Sequence, residues 1–136
     1  MKKVISMALI LICCVSVLAA CSGSSEMSAN IPDAATLESN LKEKGYVVSS
    51  LSKMTYSLTL ALYGADDKNV EKALEFKKDG EAGTVYYFKT ADDAKLLVEG
   101  WKAFQKSAGK YAGKDVIAAD DTAVYIGSQK AIKDIK

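Results

Sequence analysis

The rhythm of polar and apolar positions changes several times along this chain, and each change marks an element. Ala34, Leu37 and Leu41 recur at the spacing of one helical face. Pro32 suits the first turn of that helix, Asp33 favours its positive end, and Gly45 supplies the stop. Tyr46-Val47-Val48 then reads as a strand. Residues 54–63, MTYSLTLALY, fit two templates. Met54, Tyr56, Leu58, Leu60 and Leu62 alternate with Thr55, Ser57, Thr59, Ala61 and Tyr63, which makes a strand the expectation. Met54, Leu58, Ala61 and Leu62 would also share one side of a helix.

Turn residues mark GADDKN, residues 64–69, as a loop. Val70–Lys77 and Thr84–Lys89 flank KDGEAG, residues 78–83, which predicts a hairpin with glycine at positive-φ positions. Thr90 can cap the next helix, with Asp93 three residues on as its reciprocal partner. Ala94, Leu97, Val98, Trp101 and Phe104 form the apolar stripe of that helix, and Ser107-Ala108-Gly109 ends it. Asp115–Ala119 and Thr122–Gly127 predict a second hairpin around Asp120-Asp121, and Gln129–Ile135 a short closing helix. Sequential hairpins favour antiparallel pairing. The expected fold is therefore α+β, a mostly antiparallel sheet of four to five strands with helices packed on one face. Residues 31–136 form a single domain, since Pro32 is the only proline and no proline-rich linker divides them.

The N-terminus follows a different pattern. Met1-Lys2-Lys3 is positive, and Val4–Ala20 is apolar except for Ser6 and Ser16. As a helix this run would span about 26 Å, short of the ~30 Å hydrocarbon core. It reads as a secretory signal over residues 1–20. Leu18-Ala19-Ala20-Cys21 resembles the lipobox of bacterial lipoprotein signal peptides. The resemblance implies that Leu18, Ala19 and Ala20 are the signal-peptidase recognition positions. It also implies that Cys21 becomes the new N-terminus, with a diacylglyceryl group on its sulfur. A single acyl chain binds membranes only marginally, whereas two hold a protein firmly. Ser22–Asn30, SGSSEMSAN, is small, polar and aperiodic, so residues 21–30 are expected to be the lipidated cysteine and a flexible tether.

Composition narrows the chemistry. Among the 136 residues there is no histidine, and every basic residue is lysine. The commonest general base and metal ligand is thus missing, as is the bidentate fork of arginine. The cysteines are Cys13, Cys14 and Cys21, so residues beyond 21 hold no disulfide and no thiolate nucleophile. Loss of Lys2 and Lys3 with the leader moves the formal balance from +1 to −1. Charges of both signs are interspersed with no basic patch, so nucleic acid is not an expected partner.

Three aspartate pairs, Asp66-Asp67, Asp92-Asp93 and Asp120-Asp121, suggest calcium, but no EF-hand pattern surrounds them. They read as turns and a helix start, and no metal or cofactor is expected. Ser50-Leu51-Ser52-Lys53 and Ser107-Ala108-Gly109-Lys110 match S-x-x-K without the further motifs of serine–lysine enzymes. Gly109-Lys110-Tyr111-Ala112-Gly113-Lys114 is one residue short of a phosphate loop and is followed by Asp115. Tyr86-Tyr87-Phe88 must place rings on both faces of its strand. One face should meet Trp101 and Phe104. The other is core under a further helix, or else a ligand surface for a glycan or peptide.

The segments LKEKGY, VYYFKTADDAK and AVYIGSQKAIKD make residues 40–136 similar to small lipoproteins of Gram-positive bacteria, most of which have no assigned activity. That resemblance implies a surface lipoprotein and nothing catalytic. The expected protein is a lipid-anchored cell-envelope lipoprotein on the extracytoplasmic face of the membrane. Its domain is a non-enzymatic binding or structural module, with an envelope protein or small ligand as partner. A serine–lysine hydrolase is the remote alternative.

Overall fold

The structure, a computed structural model, describes residues 26–135. Its centre is a six-stranded mixed sheet. The strands are β1 (Glu26–Ser28), β2 (Val47–Ser50), β3 (Val70–Lys78), β4 (Glu81–Phe88), β5 (Val116–Asp120) and β6 (Ala123–Gly127). Their spatial order is β1-β5-β6-β4-β3-β2. All neighbours are antiparallel except β1 and β5, which run parallel with Glu26 beside Ile117. Among the described residues there are three helices, α1 (Ala34–Glu43), α2 (Lys53–Leu62) and α3 (Ala91–Ala108). One-turn 3₁₀ segments follow at Gly109–Tyr111 and Ala131–Asp134. The α+β class is as expected, but six strands stand where four to five were.

Side chains alternate across the strands, so each face of the sheet gathers its own core. Leu74, Phe76, Val85, Val116, Ala118 and Tyr125 pack under α1 and the C-terminal 3₁₀ turn, against Leu37, Leu41, Ile132 and Ile135. Ala73, Tyr86, Phe88, Ile117, Val124 and Ile126 pack on the other side, against Leu60 of α2 and Leu97, Val98 and Trp101 of α3. Helices therefore cover both faces rather than one. The reason lies in the strands themselves: β6 is buried at all five positions, so both of its faces need a cover.

The strand expected over residues 54–63 is a helix. Its ends decide this. The Ser52 hydroxyl accepts from the Thr55 amide at 3.4 Å, capping the start. At the other end Ala65 N–H donates to the Leu60 carbonyl at 2.9 Å, and Gly64 takes φ +67°. Alternation over ten residues could not outweigh a cap and a stop placed one helix apart.

The first hairpin turns on Asp79 and Gly80 alone, at φ +50° and +81°, so residues 81–83 belong to β4. The expected closing helix is a single 3₁₀ turn. Part of the expected tether is also structured. Glu26–Ser28 form the edge strand β1, Ala29 and Ile31 are in the core, and the Ile31 amide donates to Asp120 Oδ2 at 2.9 Å. Residues 26–31 are thus part of the sheet and its core. Leu18, Ala19, Ala20 and Cys21 lie outside the described residues.

Gly100 sits in the middle of α3, where the Tyr63 backbone crosses it. A Cβ there would overlap the Tyr63 carbonyl oxygen. Alanine normally stabilises a helix interior over glycine by about 1 kcal/mol. Here the sign should reverse: Gly100→Ala is expected to lose about 1–3 kcal/mol by overpacking, read as a lower urea midpoint at unchanged slope.

Candidate functional site

The expected aromatic surface is divided between the two cores. Tyr86 and Phe88 are buried among Leu97, Val98 and Trp101. Tyr87 points the other way, half-buried, and its hydroxyl donates to the Pro32 carbonyl at 2.8 Å. Tyr86 and Phe88 are therefore buried and Tyr87 half-buried on the opposite face, so the three rings do not share one exposed surface. α1 and its leading segment supply the second cover. Phe104 reaches Tyr63 rather than the strand, with ring centroids 5.4 Å apart.

The S-x-x-K pairs do not share a helical turn. Ser50 ends β2 and Lys53 opens α2; Ser107 lies on α3 and Lys110 in the 3₁₀ turn beyond it. The aspartates serve as local structure. Asp66 Oδ1 accepts from the Lys68 amide at 2.8 Å, and Asp67 accepts from the Ser57 hydroxyl. That bond is the largest influence holding the Asp67 carboxyl below its usual range. Asp93 pairs with the Thr90 hydroxyl and accepts from Asn69 at 3.0 Å. Asp120 holds Ile31, and Asp121 takes φ +52° in its turn. Among the described residues no three carboxylates gather where a metal could sit.

A latch joins α1, the first hairpin and the C-terminus. The Tyr46 hydroxyl donates to Asp134 Oδ2 at 2.7 Å, Lys44 Nζ donates to the Asp134 carbonyl at 2.6 Å, and Lys78 Nζ donates to the Lys44 carbonyl at 2.6 Å. Beside it lies an open depression of about 430 Å³ lined by Gly45, Val47, Lys77, Asp79 and Glu81. Its charges are of both signs, and it is shallow.

Two surface features escaped the sequence reading. The first is the apolar side of α2. Met54, Leu58 and Leu62 are 77%, 73% and 59% exposed, although they are the positions a helix would be expected to bury. The helix instead buries Leu60 and half-buries Tyr56.

The second is a basic end. Residues 100–114, GWKAFQKSAGKYAGK, hold four lysines and no carboxylate. This qualifies the expectation that no basic patch exists. α3 runs down to Gly109–Tyr111, and the chain re-enters the sheet at Val116, level with Gly127. Glu26 enters at the same end, beside Ile117, and its carboxylate pairs with Lys102. Lys106, Lys110 and Lys114 are exposed and, among the described residues, form no ion pair. Tyr111 is 82% exposed between them, with Lys110 Nζ 5.0 Å from its ring centre. The run of lysines without acids was visible in the sequence; its nearness to the chain's entry point was not.

Comparison with known proteins adds no family: no family model, no curated protein and no solved structure matches this chain.

Burial sets the tyrosine acidities. It pushes the Tyr86 phenol up to about 12, with the neighbouring Tyr63 and Glu75 adding to it and the Thr59 hydroxyl opposing. Tyr46 is likewise raised to about 12, by burial first and then by donating to Asp134. In the unfolded chain a tyrosine ionises near 10. Stability should therefore be intact below about pH 10 and fall as pH rises toward 12, by about 1.4 kcal/mol per pH unit for Tyr86. Urea unfolding from about pH 9 to about pH 11 checks this, and Tyr86→Phe should flatten the decline.

Proposed function

We propose that this protein is a lipid-anchored envelope protein whose domain acts, without catalysis, on the outer side of a bacterial membrane. One observation carries the proposal: a positive start and an apolar run end at Leu18-Ala19-Ala20-Cys21. The abrupt polar exit after Cys21 and the short span of the run favour cleavage over a membrane-crossing helix. A thiol is the group that can form the thioether, and the small alanines leave room for a protease to close on the backbone.

The commitment of the domain's polar groups to caps and turns also supports a non-enzymatic role. Asp33, Ser52 and Thr90 cap α1, α2 and α3 respectively. Ser50 and Ser107 make no side-chain hydrogen bond to a base among the described residues.

Cys21→Ala is expected to abolish fatty-acid labelling and leave the precursor uncleaved, read by metabolic labelling and by mass. Undiminished labelling would sink the anchor. A serine-directed probe should leave Ser50 and Ser107 unmodified; stoichiometric reaction at either would favour the hydrolase instead.

A further inference from the structure

The anchor and the fold together constrain how the domain meets the membrane. Four residues lie between Cys21 and Glu26, the first residue of β1, so five Cα-to-Cα steps join them. Fully extended, they reach at most about 18 Å. The sheet end that carries Glu26 therefore stays within that distance of the lipid. This is the end that carries Lys102, Lys106, Lys110 and Lys114, with Lys110 over the exposed ring of Tyr111.

We propose that this basic end, centred on Lys106, Lys110, Tyr111 and Lys114, docks on the anionic lipid headgroups of the membrane that holds the chain, a proposal that rests on the anchor at Cys21. Charge supports it. The carboxylates flanking the run are Glu99 and Asp115, and Glu26 is already paired with Lys102. The first hairpin turns at the same end, but Lys77, Lys78, Asp79 and Glu81 balance there. A lysine close to an anionic bilayer favours the bound state roughly fivefold, and its field fades over a Debye length of about 8 Å. Lysines without an anchor would bind feebly. A short tether makes the encounter permanent, so a few lysines suffice to choose which side of the domain faces down. Tyr111 has the amphipathic ring that suits the headgroup layer. Lys106 also lies in the last turn of α3, where a cation is favoured by the helix dipole, so part of its placement is structural.

The test uses the mature, lipidated protein. Cys21 is blocked by its own thioether, and the mature chain has no other cysteine, so a single introduced thiol can carry a fluorophore. Gly113→Cys places it inside the basic end, where the backbone φ is ordinary and a Cβ meets only the Asp115 amide nitrogen at 4.0 Å, an ordinary contact. Ala91→Cys places it at the start of α3, about 27 Å away along the helix. The proteins are put on phosphatidylcholine vesicles with and without phosphatidylglycerol, both containing lipid brominated near the headgroup.

The label at residue 113 should be quenched on the phosphatidylglycerol vesicles and not on phosphatidylcholine alone, and the label at residue 91 on neither. Quenching should vanish in Lys106→Gln/Lys110→Gln/Lys114→Gln, a change of roughly a hundredfold in the contact equilibrium. It should also vanish near 1 M salt, where the Debye length falls to about 3 Å. Equal quenching at residue 113 on both vesicle types, or none on either while the protein floats with them, overturns the docking and leaves the anchor standing. Failure to float with the neutral vesicles overturns the anchor, and the docking with it. Retained far-ultraviolet dichroism shows that the triple variant is folded.

Discussion

Two-sided burial of β4 and β6 is the constraint on which the rest of the structure depends. Their neighbouring side chains point alternately into two cores, and both sets are large and apolar: Tyr86, Phe88, Val124 and Ile126 on one side, Val85 and Tyr125 on the other. A sheet of this kind cannot leave a face to water. Each buried aromatic of this size removes on the order of 150–250 Å² from solvent, and exposing one face would forfeit much of the folding free energy. α3 with Trp101 meets the first requirement. α1, the entry segment around Ile31 and the C-terminal turn around Ile132 and Ile135 together meet the second.

The entry segment has a second consequence. It must cross the sheet edge to reach α1, and on the way Glu26–Ser28 pair in parallel with β5. The Ile31 amide on Asp120 and the Tyr87 hydroxyl on the Pro32 carbonyl hold the crossing in place. Glu26 is thereby set at one end of the sheet, next to Lys102. A segment that reads as a loose spacer is half scaffold.

Much of the fold was legible because it is written in local chemistry. Caps at Asp33 and Thr90, the Asp79-Gly80 turn and the alternation through residues 84–88 each act within a few residues, so α1, α3 and both hairpins could be placed from the chain alone. The error at residues 54–63 has the same origin. Alternation and helical spacing coincide there, and the deciding signals, Ser52 and Gly64, lie outside the segment. The aromatic run at residues 86–88 was ambiguous for a different reason. A strand shows which residues share a face, but not whether anything covers that face.

The sequence by itself determined the absence of histidine and arginine, the α+β class, and most element boundaries. These depend on composition, motif or contacts between near neighbours. Tertiary structure alone decided that helices cover both faces, that Glu26–Ser28 close an edge through partners about 90 residues away, that Met54, Leu58 and Leu62 stay in water, and that four lysines stand where the chain enters. Such outcomes follow from contacts between residues distant in the chain, and alternation or spacing within a segment carries no record of what packs against it.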